Sequence, residues 1–382
     1  MDRIYLDNAA TTPIDPLVIE EMTAVMKNHY GNPSAIHAMG REVRTLVEKA
    51  RKSVAQLLHA SPSEIFFTSG GTEADNMAIR GAVQAYGIKH AITSRIEHHA
   101  VEHTLDALLK NGEIDQLSFV DVDANGNINY LQLEELLKEN GRSLVSLMHA
   151  NNELGTLTDI QKVGDICEKY NAIYHADTVQ TMGHYKHNVR ELKAHFIVCA
   201  AHKLHGPKGA GFVFVNSNVK IPPMIFGGAQ ERNMRGGTEN VYGIVGLAKA
   251  LEIAYAEMEE HQTYIQGLKD YFKEKLIAEI PGVTFNGETA ADKSLYTVLN
   301  VSFPAMDMGD MLLFNLDIHG ICASGGSACS SGSNIGSHVL NGIKADPERP
   351  SVRFSFSKYN TKEEIDFVID KVKTVVAQNA MA

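Results

Sequence analysis

Two segments, HADTVQ at 175–180 and CAAHKLHGPKGAG at 199–211, carry the side chains best suited to chemistry. Asp177 closes one apolar run, and Lys203 follows another in a stretch rich in Gly and His. A lysine amine condenses with a carbonyl, while a carboxylate beside a pyridine keeps the ring nitrogen protonated so that the ring accepts electrons. Desolvation or a neighbouring cation lowers a lysine pKa, which makes the amine a nucleophile and proton shuttle. Alone, a strand-end Asp is usually a turn residue and a lone Lys a solvated surface charge. The pair gains meaning only with further groups beside it.

TSGGTEADN at 68–76 follows the apolar run EIFF and opens a helical pattern. Gly70 and Gly71 allow close backbone approach, Thr72 offers a hydroxyl, and a helix start presents free N–H groups to an anion. The segment is neither a Walker sequence nor GxGxxG, and a Gly-rich turn with a Thr cap is the plain alternative. Amine, carboxylate and phosphate cup together are what pyridoxal phosphate (PLP) requires. IEHHAV adds His98 and His99 beyond another strand end, where an imidazole stacks on a ring or moves protons near neutral pH. ASGGSACSSGSN at 323–334 sets Cys329 among small polar residues that cannot bury a thiol, so it is expected exposed on a mobile loop. Cys167, Cys199 and Cys322 lie in or beside apolar patterns and read as inert small hydrophobes.

The elements that must position these residues alternate. Short apolar runs (EIFFTSGG, HAITSRI, RSLVSLMHANN, AIYHADTVQ, HFIVCAAHK, GAGFVFVN) are separated by amphipathic stretches. Strand-then-helix repetition predicts an α/β fold with a mostly parallel sheet covered on both faces, and ligands of such sheets gather at the carboxyl ends of the strands. From Asn240 to Pro281 the apolar residues recur at helical spacing, predicting one long helix leading out of the large domain. VTFNGE, YTVLNVSF, ICASGG and SVRFSFS read as strands among helices, a small α+β C-terminal domain. The expected division is a large domain at 1–258, with residues 1–15 packing on the small one, and a small domain at 259–382 carrying the Cys329 loop.

A chain of 382 residues suits a large and a smaller domain meeting at a cleft. The net charge of −11 argues against non-specific binding to nucleic acid or an anionic membrane. No stretch approaches the roughly 18 apolar residues of a membrane span, and the expected location is the cytoplasm. Four cysteines without a CxxC pair or a zinc-spaced Cys/His set predict neither a disulfide scaffold nor a metal centre.

These motifs, with YLDNAATTP (5–13), GNPSAIH (31–37), HANNELGTL (149–157), MRGGTENV (234–241) and VRFSFSKYNTKEEID (352–366), run nearly end to end. In that order they resemble the cysteine desulfurases of the class V aminotransferase superfamily, PLP-dependent enzymes of fold type I with a seven-stranded-type sheet. The resemblance implies conversion of L-cysteine to L-alanine, with sulfur passed to Cys329 as a persulfide. The acceptor would be an iron–sulfur scaffold, a sulfurtransferase or a tRNA-thiolation or cofactor pathway. It implies PLP on Lys203, Asp177 on the pyridine nitrogen, His98 on the ring, and Asn152 and Gln180 near the ring hydroxyl. Gly71, Thr72, His202 and, from a second subunit of a homodimer, Thr238 would hold the phosphate. Arg353, Asn32 and Asn8 would take the substrate carboxylate, for which a guanidinium fork is suited.

Two features depart from the pattern. Ala200 stands where relatives commonly carry a Ser that meets the phosphate, and the loop reads SGGSACSS rather than SSGSAC, followed by the divergent SNIGSHVLNGIKADPERP. The alternatives are a selenocysteine lyase, another class V lyase or aminotransferase, and a non-enzymatic scaffold of the sulfur machinery. Cys329 argues against an aminotransferase, and Lys203, Asp177, His98 and Cys329 together argue against a scaffold.

Overall fold

The computed structural model describes residues 3–306, 309–325 and 336–378, apart from the side chain of Asp310. Its strands along the chain are β1 (Ile4–Tyr5), β2 (Ile65–Thr68), β3 (His90–Ser94), β4 (Gln116–Val120), β5 (Leu144–Ser146), β6 (Ile173–Ala176), β7 (Phe196–Ala200), β8 (Gly211–Val215), β9 (Thr284–Asn286), β10 (Val298–Ser302), β11 (Ile321–Cys322) and β12 (Ser351–Ser355). The α-helices are α1 (Pro16–Asn28), α2 (Ala38–Leu57), α3 (Gly71–Tyr86), α4 (His99–Lys110), α5 (Tyr130–Asn140), α6 (Ile160–Lys169), α7 (Val241–Ala256), α8 (Met258–Glu279), α9 (Leu312–Ile318), α10 (His338–Gly342) and α11 (Lys362–Gln378).

Seven strands form one sheet in the order β2-β8-β7-β6-β5-β3-β4. Its neighbours are parallel except at β8, which runs antiparallel to both β2 and β7. This is the expected α/β architecture. Every residue of β2, β3, β5, β6, β7 and β8 is buried, which explains the unbroken apolar character of those runs: helices cover both faces. One face packs on Val43, Val47, Leu247 and Leu251 of α2 and α7, the other on Met77, Ile79, Val101 and Leu105 of α3 and α4. Edge strand β4 and helix α5 lie outside the runs picked out from sequence. QLSFV keeps a partly exposed face, so it carries no continuous apolar run.

A second core surrounds the sheet β12-β10-β9, which is antiparallel throughout, and is covered by α8, α9 and α11. The start of the chain joins it: β1 pairs in parallel with β11, and Leu6 is fully buried there. From Leu6 the chain crosses to the large sheet, where the Thr12 amide donates to the His202 carbonyl at 2.9 Å. The predicted continuous helix from Asn240 to Pro281 is instead two helices meeting at Glu257 (φ −105°, ψ 12°). No Gly or Pro marks the break. Val241, Leu247 and Leu251 bury against the large sheet while Ile265, Leu268, Phe272 and Leu276 bury in the second core, so tertiary packing rather than local propensity ends α7.

Candidate active site

Five chain segments reach one cavity at the carboxyl ends of the central strands, each for a local reason. β2 runs into Gly70, whose φ of 154° lies where L side chains are rarely found, and α3 begins at Gly71 with no side chain capping it. Its first N–H groups are left for an anion. A Cβ on Gly71 would meet Val179 Cγ2 at 2.7 Å, so only glycine lets the backbone approach this closely. After β3, His98 caps α4, its Nδ1 accepting from the Ala100 amide at 3.1 Å. Nε2 is thereby the protonated nitrogen of the neutral ring.

Beyond β5 the chain turns through Asn151, whose Oδ1 accepts from the amides of Glu153 and Leu154, and this turn presents Asn152 to the cavity. Past β6, Asp177 accepts from the Val179 amide at 2.9 Å through Oδ1. Beyond β7, a single 3-10 turn carries Ala201, His202 and Lys203. Lys203 Nζ donates to the carbonyls of Ala9 and Ala10 at 2.5 and 2.8 Å. The Gln180 amide also donates to Ala9, so the crossing segment forms one wall of the cavity.

The resulting space, about 800 Å³ counting its open mouth, is lined by Gly71, Thr72, His98, Asn152, Asp177, Gln180, Ala200, His202, Lys203 and Arg353. Ten of the residues singled out from sequence are thus brought to one place. Asn8, Asn32 and Thr238 are not. The Asn8 amide is turned away to the Ser355 carbonyl at 2.9 Å, where it anchors the crossing segment. Asn32 is exposed and accepts from the Ser34 amide, and Thr238 is also exposed. Cys329 falls at 326–335, outside the described residues.

Sequence reasoning missed three contributors. Asp75, inside the phosphate-cup motif, is fully buried and reaches the cavity wall, where one oxygen or nitrogen from each of Asp75, His98 and Asp177 lies within 4.8 Å of the others. Its place in TEADN, one turn into α3, was the available signal. Burial, reinforced by the charge of Asp177, pushes the Asp75 carboxyl well above the usual range. His175 Nε2 sits 3.2 Å from Asp75, poorly aligned for a hydrogen bond, and burial lowers that imidazole to about 4. Burial thus disfavours the charged form of both groups. The other contributors are the carbonyls of Ala9 and Ala10 on Lys203, and Asp7, which takes Arg353 Nη2 at 2.7 Å. Arg353 Nη1 donates to the Asn152 carbonyl at 2.9 Å, and Nε is buried with no partner among the described residues.

Burial holds His98 below its ordinary imidazole value, Asp177 opposing and Lys203 adding to the shift. Burial and the charges of Lys203 and Lys208 bring His202 down to about 4. Both rings are neutral at pH 7. The donor set fits PLP: an amine for its carbonyl, a carboxylate for its pyridine nitrogen, an imidazole for its ring and a glycine-lined helix start for its phosphate.

The aminotransferase class-V model matches residues 4–368. The chain belongs to that family. A cysteine desulfurase IscS from Dictyoglomus turgidum (strain DSM 6724 / Z-1310) is 42% identical over 378 residues, covering 98% of this chain and 94% of its own. A solved NifS-like protein superposes with a TM-score of 0.90 at 37% identity, covering 98% of this chain and all of its own. SspA in complex with cysteine gives 0.79 at 31% identity, covering 94% and 99% respectively. Class-V enzymes of this kind depend on PLP, and PLP is the cofactor of this one.

Within this class-V site the two buried acids differ in what they should tolerate. Asp75→Asn replaces a carboxyl whose charged form burial disfavours with an uncharged amide of similar shape and is expected to hold kcat within about tenfold. Asp177→Asn would remove the carboxylate suited to the pyridine nitrogen and should cost about 10²–10⁴-fold, the range for a group acting on protons in the transition state. Equal losses from both, measured with the visible PLP band intact, would contradict this assignment.

Proposed function

We propose that this chain is a cysteine desulfurase that converts L-cysteine to L-alanine and places the sulfur on Cys329 as a persulfide. The observation that carries this reading is that Lys203, Asp177 and His98 share one cavity while the residues flanking 326–335 are tied to its rim. On one side, Ser324 and Arg353 exchange backbone hydrogen bonds at 2.7 and 3.2 Å. On the other, Ser337 Oγ donates to Glu153 at 2.5 Å and His338 Nε2 to the Glu97 carbonyl at 2.9 Å.

When bound, PLP supplies an electron sink conjugated to the substrate α-carbon. Arg353, which lines the cavity, offers the substrate carboxylate a charge-assisted hydrogen bond, and Asp7 and the Asn152 carbonyl fix the angle of its guanidinium. The Lys203 amine, once released from the cofactor carbonyl, takes the α-proton. His98, held neutral, accepts and returns protons at the rim of the same cavity. Asp177 keeps the ring-nitrogen proton in place. Cys329 attacks as the thiolate: its sulfur bonds to the substrate sulfur, the Cβ–S bond breaks, and its electron pair stays with Cβ, which is protonated to give alanine.

The functional unit is proposed to be a homodimer, since Thr238 stands exposed and away from its own cavity where a second copy could use it. The sulfur is proposed to pass to a separate acceptor protein of iron–sulfur or thio-cofactor assembly, in the cytoplasm. The domain boundary is placed near Glu257. No helix of the described residues is long and apolar enough to cross a membrane.

The test is alanine and sulfide release from L-cysteine with a thiol reductant, comparing the parent protein with Cys329→Ala. The expected result is a parent that turns over and a variant that keeps the visible PLP band but loses sulfide release by about 10²-fold or more. Equal activity of the two would remove Cys329 from the reaction.

A further inference from the structure

Beside the mouth of the cavity, three side chains from distant parts of the sequence converge. His99 and Glu102 lie one turn apart on α4, and His338 opens α10. One potential ligand atom from each lies within 4.8 Å of the other two. His99 Nδ1 is 3.3 Å from Glu102 Oε2, and His338 Nε2 is 3.9 Å from the same oxygen. Zinc held tetrahedrally by imidazole nitrogen and carboxylate oxygen at about 2.0–2.2 Å spaces its ligands about 3.3–3.5 Å apart. The 3.3 Å pair already has that spacing, while the 3.9 Å pair and the two histidines, whose ligand atoms lie within 4.8 Å, must draw closer as the cation binds.

We propose that His99, Glu102 and His338 form a site for one divalent cation of the zinc class, with a fourth position open to water. The side chains are neither fully exposed nor sealed, at 24%, 28% and 23% of their possible exposure, so an ion can enter and three ligands remain held. Their orientation is already restrained. The His99 ring is stacked on His103 at 4.7 Å between centroids and lies 4.3 Å from the His338 ring. His338 Nε2 also lies 2.9 Å from the Glu97 carbonyl, a hydrogen bond this nitrogen gives up when it loses its proton and turns its lone pair to the cation. Two imidazoles and one carboxylate with an open position is a zinc donor set. Sequence spacing hid it because one of its three ligands comes from α10, far along the chain from the α4 pair.

The site has a consequence for the neighbouring chemistry. His98 caps α4, and His338 follows 326–335, the segment that carries Cys329, so a cation here would pin the downstream end of that segment to the helix bearing His98. The binding itself does not depend on the desulfurase reading.

The experiment uses PLP-loaded full-length protein carrying Cys329→Ser, so that this thiol does not compete, freed of metal by a chelator and titrated calorimetrically with zinc chloride. One equivalent per chain is expected, with His99→Ala and His338→Ala each weakening affinity at least ~10-fold, a loss that even outer partners of a ligand produce. Glu102→Gln, the conservative change, should weaken it as well, and far-UV circular dichroism with the visible PLP band checks that each variant is folded. Cobalt(II) should give the intense visible bands of a four-coordinate ion in the parent and lose them in the variants. Absence of binding, unchanged titrations in folded variants, or a weak six-coordinate cobalt spectrum would overturn the proposal.

Discussion

Lys203→Ala is expected to lower turnover of L-cysteine by at least ~10⁴-fold and to abolish the visible band of the bound cofactor. The size follows from the two roles proposed for this one side chain, the covalent hold on the cofactor and the base for the α-proton; loss of the base alone is worth about 10²–10⁴-fold. Among the described residues Lys203 is the one lysine lining the cavity, so none of them supplies a substitute amine. Its amine is already directed inward by the carbonyls of Ala9 and Ala10. Stopped-flow and steady-state assays with added PLP would check this. A variant within tenfold of the parent would mean that the chemistry uses another amine and that the site has been misassigned.

Arg353→Lys is expected to raise KM for L-cysteine by about 10²-fold and also to lower the melting temperature. Arg353 is 1% exposed and its Asp7 partner 18%, so the pair is largely desolvated. Breaking a buried pair costs roughly 3–5 kcal/mol because the remaining charge is left without its partner. A lysine keeps the charge but has a single nitrogen. It cannot serve the Asp7 carboxylate, the Asn152 carbonyl and the substrate carboxylate together. Asp7→Asn separates the two effects. It should lower the melting temperature while changing KM far less, since the guanidinium is retained. If both variants are destabilised to a similar degree with KM unchanged, Arg353 only ties the crossing segment to β12.

The sheet and most of the cavity wall were legible in the sequence for one physical reason. A strand covered on both faces must be apolar throughout, so the first polar residue after it marks a carboxyl end, where ligands gather. Asp177 after β6, His98 after β3 and Lys203 after β7 all stand at that place. The glycines of TSGG were readable because close backbone approach leaves few alternatives, and Gly71 has no room for a Cβ.

What the sequence did not reveal depends on groups that carry no local signature. The carbonyls of Ala9 and Ala10 that hold Lys203 exist in any pair of residues, and only the crossing of the first segment makes them partners. Asp75 reads as an ordinary residue in the first turns of a helix until burial beside Asp177 raises its carboxyl pKa. The resemblance implies Asn8 for the substrate carboxylate, while the fold turns its amide nitrogen to the Ser355 carbonyl. The single helix expected from Asn240 to Pro281 divides at Glu257 because its halves bury in different cores.

The sequence by itself determined which chemical groups stand at which strand ends, since periodicity records burial and burial is a local property of a covered sheet. The tertiary structure decided which of them share a cavity and what charge they carry there. Those outcomes rest on contacts such as Arg353 with Asp7 and His338 with Glu102, between residues hundreds of positions apart, and on desolvation that exists only once the chain has closed around them.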